Sequence, residues 1–234
     1  MPLKVARAVS LKTRVAFPPR PPYTARLMPA RAARQESPNA LPARFRKHLL
    51  EDAVLPKGGS VIVGVSGRRD SVALLHLLHE IADDLDLHLI VAHVQYGEGG
   101  AHDADAAFVR EAAKTFNIPL DLFIEDQPAS DLRRRKDERR RYFVHVRTRL
   151  GATAIATGET LDDAAEEFLA TLVSDHGPPL SGSPAEDVFA RPLLPFSREE
   201  CRAFLKDRGI SFRPDPDALS LDTKEKKLRL LIVP

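Results

Sequence analysis

The sequence predicts an α/β chain: a doubly wound parallel sheet of about five strands flanked by helices. Three observations carry that prediction. Short apolar runs alternate with amphipathic helical stretches from residue 60 to residue 208, the pattern of parallel strands joined by crossover helices. The runs Val61-Ile62-Val63 and Leu89-Ile90-Val91-Ala92 are apolar on successive residues, as in strands buried on both faces. Two polar loops, at 66–71 and 157–163, follow directly on such runs. In a doubly wound sheet, ligands bind beyond the carboxyl ends of the strands.

Taken in order, residues 42–55 read as a short amphipathic helix, with Lys57-Gly58-Gly59 as the turn after it. Residues 60–65 form the first strand, and Val72 to Glu80 the helix after the first polar loop. Asp83-Asp84 interrupts that pattern, and 88–94 is the second strand, closed by the Gly97–Gly100 loop. Asp103 to Phe116 is a helix that turns Ala106, Phe108, Val109 and Ala112 to the sheet. The third strand is 120–124, with Pro119 at its start, where a missing N–H costs least. Residues 131–150 make a long helix, densely charged at first, and 152–157 the fourth strand. Thr160 or Asp162 caps a helix from Asp163 to Val173. A Pro/Gly/Ser loop then spans Gly177 to Asp187. Ser197 and Glu200 stand at capping-box spacing before a helix that reaches Arg208.

Composition bounds the rest. With 43% hydrophobic residues in 234, the chain has material for a sizeable core. No window approaches a membrane span, so the expected protein is soluble. One cysteine, Cys201, excludes a disulfide framework and a cysteine metal site, and its helical surroundings suit a buried thiol. The charge is unevenly spread. Residues 1–35 hold eight Lys and Arg and no acid, so the remainder, with 27 basic against 33 acidic side chains, is net −6. Residues 1–41 are therefore taken as a basic Pro/Arg-rich tail, disordered alone or ordered by a partner. Three readings of it stay open: a transit peptide, which implies a mitochondrial rather than a cytoplasmic protein; an RNA-binding arm; and an uninformative extension.

The chemistry concentrates in the loop Ser66-Gly67-Arg68-Arg69-Asp70-Ser71, between a buried strand and a helix N-terminus. Free backbone N–H groups and a positive dipole end meet there, which suits a phosphate. The loop has neither the Gly-Lys-Ser/Thr ending of a Walker A motif nor G-x-G-x-x-G. It resembles the S-G-G-x-D-S pyrophosphate loop of the N-type ATP pyrophosphatases, the adenine nucleotide alpha hydrolase-like group. Arg68 takes the place of that family's second glycine. Glycine permits φ > 0 and close approach to an anion, so Arg68 is expected either to be strained there or to bind phosphate through its guanidinium.

Further stretches resemble the N-terminal domain of the tRNA(Ile)-lysidine synthetases. His93-Val94-Gln95-Tyr96-Gly97 is similar to H-V-D-H-G, and Arg139-Arg140-Arg141-Tyr142 to an R-x-x-R-Y helix. Ala156-Thr157-Gly158-Glu159 through Asp162-Asp163-Ala164-Ala165-Glu166 is similar to A-T-G-H-x-x-D-D-Q-A-E. Arg191-Pro192-Leu193-Leu194 matches R-P-L-L, and Arg213-Pro214-Asp215-Pro216 is similar to R-x-D-P. The matches run from about residue 44 to Pro234, so the domain is placed at 42–234. Departures fall on the chemistry: Arg68, Gln95, Tyr96, Gly99, Glu159, and Glu225-Lys226-Lys227 in place of R-N-R.

The resemblance implies ATP and Mg²⁺ as cofactors, tRNA and lysine as substrates, and no membrane. Ser66, Gly67, Arg68, Ser71, His93 and Gly158 would bind nucleotide, Asp70 and Asp163 would be catalytic, and Asp70, Asp162 and Asp163 would hold metal. The reaction implied is adenylation of a cytidine carbonyl oxygen followed by ligation of lysine. The departures keep a second reading open: a paralogue without activity, held in an RNA-bound or ribonucleoprotein assembly such as an organellar ribosome. Plainer readings stand beside each feature. Asp162-Asp163 also reads as a helix cap, His93 as a hydrogen-bonded sheet-edge histidine, and Arg133–Arg141 as a solvated helix face. His76 and His79 stand at i,i+3 without a third ligand for zinc.

Overall fold

The structure is a computed structural model that describes residues 40–97, 99–126, 132–172 and 188–214. The basic tail up to residue 39, the loop at 177–187 and the stretch from Asp215 onward lie outside the described residues. The elements run α1 (Leu41–Glu51), β1 (Gly59–Gly64), α2 (Arg69–Ile81), β2 (Leu87–Tyr96), α3 (Gly100–Thr115) and β3 (Leu120–Glu125). Then follow α4 (Leu132–Leu150), β4 (Ala154–Ala156), α5 (Leu161–Leu172), β5 (Phe189–Ala190) and α6 (Arg198–Asp207).

Five strands form one sheet in the order β3-β2-β1-β4-β5, and every pairing is parallel. Alternation along β1 divides the core in two. Val61 and Val63 join Leu89, Val91, Ala154 and Ala156 under α1, α2 and α6, with Val109 and Ala113 of α3. Ile62 points the other way and joins Ile90, Ala92, Val94 and Ile155 beneath Phe143 and Val146 of α4. Burial on both faces is what allows continuous apolar strands, because successive side chains each meet a helix layer.

The chain leaves β1 towards β2 and β3 on one side, and later adds β4 and β5 on the other. The order therefore reverses between β1 and β4. That switch point opens a crevice between the loops that leave the two strands. Because β1 and β4 run parallel, Val61 beside Ala154 and Val63 beside Ala156, the loops at Ser66 and Asp162 emerge at the same edge.

The expected strands are present with boundaries shifted by one or two residues, and two differences matter. First, α2 begins at Arg69, so Asp70 and Ser71 belong to its first turn and not to the loop. Arg68 is its N-cap, without a side-chain cap bond, so no capping residue marks the start. Second, β5 is two residues at the sheet edge, too short to carry a periodic signal. The capping box of Ser197 and Glu200 is formed as expected.

Candidate nucleotide site

The loop after β1 is built from its own hydroxyls. Ser66 N–H donates to Ser71 Oγ at 3.1 Å, and Ser71 Oγ–H donates to the Arg68 carbonyl at 2.9 Å. With that proton committed, Ser66 is the donor in the 3.0 Å contact between the two hydroxyls. Ser66 Oγ in turn accepts from Arg68 N–H at 3.3 Å. The hydroxyls thus fix the loop's shape and leave the N–H groups at the start of α2, which a helix cannot satisfy internally, to meet a ligand.

Gly67 takes the left-handed backbone, φ 81°. A Cβ on it would stand 3.3 Å from Arg213 Cγ and 3.4 Å from Phe108 Cδ1. Arg68 does not share that conformation: its φ is −74° and ψ 159°. The strain that replacement of a glycine suggests is therefore absent, because the turn needs its positive φ one residue earlier. The Arg68 guanidinium is placed in a fork on Asp105 of α3, Nη1 to Oδ1 at 3.1 Å and Nη2 to Oδ2 at 2.8 Å.

A cleft opens at the carboxyl edge. Ser66, Arg68, Asp70 and Ser71 line it from the β1 side, His93 and Tyr96 from β2, and Arg139 and Phe143 from α4. Thr157, Gly158, Glu159 and Asp163 close it from the β4 side. The structure thus brings seven of the expected site residues to one cleft, and Gly67 and Asp162 are not among the residues that line it. The run Arg139-Arg140-Arg141 also splits: Arg139 lines the cleft, and Arg140 stacks on Phe189, 4.1 Å from the ring centre.

His93 is buried, 4% exposed, and its Nδ1 lies 2.7 Å from the Val65 carbonyl. A carbonyl only accepts, so Nδ1 carries the proton and Nε2 is left as an acceptor. Nε2 is buried and has no hydrogen-bond partner. Burial, with help from Arg110 and Arg68, holds the imidazole below its ordinary pKa against the pull of Val65 and Asp105. Both readings of this residue meet here: it is hydrogen-bonded to the sheet edge and it faces the cleft.

The carboxylates differ in their freedom. Asp70 pairs with its neighbour Arg69, at 2.8 Å and 3.2 Å. Asp163 Oδ2 accepts both the Thr160 N–H at 2.8 Å and its hydroxyl at 2.7 Å, which closes the N-terminus of α5. Asp163 Oδ1 accepts from the Arg198 guanidinium, which also holds Glu166. Asp162 Oδ2 accepts the Arg198 backbone N–H at 2.8 Å. Burial alone would raise the Asp163 pKa, but the Thr160 N–H and Arg198 hold it below the usual carboxylate range. Among the described residues no cluster of three or more His, Cys, Asp or Glu is placed to hold a metal. Mg²⁺ requires only one or two carboxylates beside phosphate and water oxygens, and Asp70 in the cleft wall fits that demand. Asp162 and Asp163 fasten α5 to α6.

Two residues at this edge carry no sequence signal. Arg198 reads as an ordinary first-turn residue behind the Ser197 cap, and Asp105 as one acid among several on α3. Arg213 is marked by its motif, and its N–H donates to the Gly67 carbonyl at 2.8 Å. Glu159, in a histidine's place, pairs with Arg191 Nε at 2.9 Å.

A tRNA(Ile)-lysidine synthase of Symbiobacterium thermophilum is 34% identical over 204 residues, covering 82% of this chain and 42% of that protein. The corresponding enzyme of Chlorobaculum tepidum is 31% identical over 208 residues, covering 84% and 62%. The chain spans about two fifths of the length of several such relatives. Among solved structures, a U34-tRNA thiolase of Methanococcus maripaludis superposes with a TM-score of 0.67 at 16% identity, over 81% of this chain and 72% of that one. This likeness shows the fold. The profile of the PP-loop domain family matches residues 41–234, and the chain belongs to that family.

Proposed function

We propose that the cleft binds ATP with Mg²⁺ and directs the α-phosphorus to a base carbonyl oxygen of tRNA. The observation that carries the reading is the Ser66–Ser71 loop leading into the N-terminus of α2 beside the switch-point cleft, in a chain whose curated relatives are named tRNA(Ile)-lysidine synthases. The cytidine carbonyl oxygen attacks the α-phosphorus, pyrophosphate leaves, and the lysine amine then displaces AMP from the base carbon. The protein contributes position and charge, since no covalent enzyme intermediate is needed.

In this reading the backbone of Ser66, Gly67 and Ser71 surrounds the phosphates, and Arg68 adds a cation to them. Asp70 is the catalytic carboxylate and the metal's protein ligand. The metal, when bound, neutralises phosphate charge. His93 offers an acceptor to a nucleotide donor, and Gly158 lets the β4 loop lie against α2. Asp163 serves the reaction by holding the far wall through Thr160 and Arg198, with Asp162 beside it. None of the described helices is long and apolar enough to cross a membrane, and the bacterial tRNA(Ile)-lysidine synthases that the chain resembles support a reading of work in the cytoplasm.

Release of pyrophosphate from ATP in the presence of a cytidine-containing tRNA(Ile) tests this. Release that depends on tRNA supports it, with lysine then converting the adenylated tRNA. Absence of tRNA-dependent release, in a protein that binds Mg-ATP, would contradict the reaction while leaving the site.

A further inference from the structure

Asp105 is the one acid in the buried set of the described residues, 5% exposed, and no part of the proposed reaction uses it. A buried carboxylate is costly unless it is well paired. Asp105 is paired more than once. Both of its oxygens take the fork of Arg68, at 3.1 Å and 2.8 Å, and Oδ1 also takes Arg213 Nε at 2.9 Å. Burial would raise its pKa, but the hydrogen bonds from Arg68 and Arg213 hold it below the usual range. Two guanidiniums on one carboxylate leave a surplus positive charge beside the phosphate loop.

Each partner is tied to that loop. Arg68 is its fourth-from-last residue and the N-cap of α2, and the Arg213 backbone donates to the Gly67 carbonyl. A guanidinium has five N–H donors in a planar fork. Asp105 occupies two of those on Arg68, and the others remain for an anion in the cleft that Arg68 lines. A cation already fixed in place loses little freedom when the anion arrives.

We propose that Asp105 is a positioning residue for polyphosphate: it orients Arg68 behind the loop and locks that orientation to the Arg213 segment. The inference rests on the reading of the cleft as an ATP site. It also gives a role to the arginine that stands in a family glycine's place, with a side-chain cation added to the backbone cradle.

The test is calorimetric titration of the full chain and its variants with Mg-ATP and, separately, with adenosine. Asp105→Asn is expected to lower Mg-ATP affinity about tenfold, the scale of a charge-assisted bond, and to leave adenosine affinity as in the wild type. Against an Arg68→Lys background the same change should add less than about twofold, because Asp105 acts through the fork. Equal losses for both ligands would make Asp105 structural only. Tighter Mg-ATP binding would mean that Asp105 holds Arg68 away from phosphate. Either result overturns the proposal. If Asp105→Asn does not fold, Arg68→Lys alone, which spares the Asp105–Arg213 pair, should show the tenfold loss, and unchanged affinity overturns the proposal. A wild-type chain that binds no Mg-ATP removes the ATP reading and this inference together. Binding that Asp105→Asn leaves untouched removes only the latter.

Discussion

A Cβ placed on Gly158 would lie 3.0 Å from the backbone carbonyl carbon and oxygen of Asp70, and 3.0 Å from the Ser71 nitrogen. The loop after β4 therefore rests on the first turn of α2, and glycine is there for close approach. Gly158→Ala should push the two walls of the cleft apart by a few tenths of an ångström. The expected cost is about 1–2 kcal/mol of stability, with a several-fold weaker Mg-ATP affinity. Thermal unfolding and titration of the variant check it. A variant indistinguishable from wild type in both would show that the two walls can separate freely.

Asp70 and Asp163 should separate on mutation. Asp70→Ala is expected to weaken ATP binding in the presence of Mg²⁺ and hardly without it, because its role is to meet the metal. Asp163→Ala removes the bonds to Thr160 and a partner of Arg198. It should cost roughly 1–3 kcal/mol of stability and weaken ATP equally with and without Mg²⁺. Denaturant unfolding and paired titrations with and without the metal read both effects. A Mg²⁺-specific loss in Asp163→Ala would restore it to the metal.

His76 makes stability depend on pH. It packs edge-on against Phe116, with ring centres 4.7 Å apart. Burial first, then His79 and Arg208, lower its pKa from 6.5 to about 4, and burial lowers His79 as well. The unfolded chain takes up the proton near pH 6.5 and the folded chain only near 4. The contribution is thus fully present above about 6.5 and is lost progressively down to about 4. It amounts to at most about 3 kcal/mol. Urea unfolding between pH 7.5 and 4.5 should show a slope that flattens in His76→Gln. Identical slopes would exclude the histidine as the cause.

Cys201 is buried in α6, and burial, with Asp70 nearby, pushes its thiol up to about 12. Thiolate is the reactive form, so the native protein should resist a thiol reagent at pH 8 and react at once when unfolded in urea. Rapid labelling of the folded chain would contradict this burial.

The parallel sheet and the edge at which the cleft opens are legible in the sequence because β1 and β2 are apolar on both faces and polar loops follow β1 and β4; the strand order β3-β2-β1-β4-β5 comes from the structure. The start of α2 is not, since Arg68 caps it without a side-chain bond and Arg69, Asp70 and Ser71 look like loop. Arg68 itself misleads: replacing a family glycine suggests strain, but the positive φ belongs to Gly67. Asp105 is invisible for another reason. Its value comes from Arg68 and Arg213, 37 and 108 residues away, and no local pattern encodes a meeting at that distance.

The central claim is that the loop from Ser66 to Ser71 holds the phosphates of ATP. Titration of the wild-type chain with ATP in excess Mg²⁺, followed by calorimetry, tests it most directly. The account predicts a saturable isotherm with one site per chain, tighter than that of adenosine because the phosphates supply the difference. A flat titration up to millimolar ATP with a folded protein would contradict it.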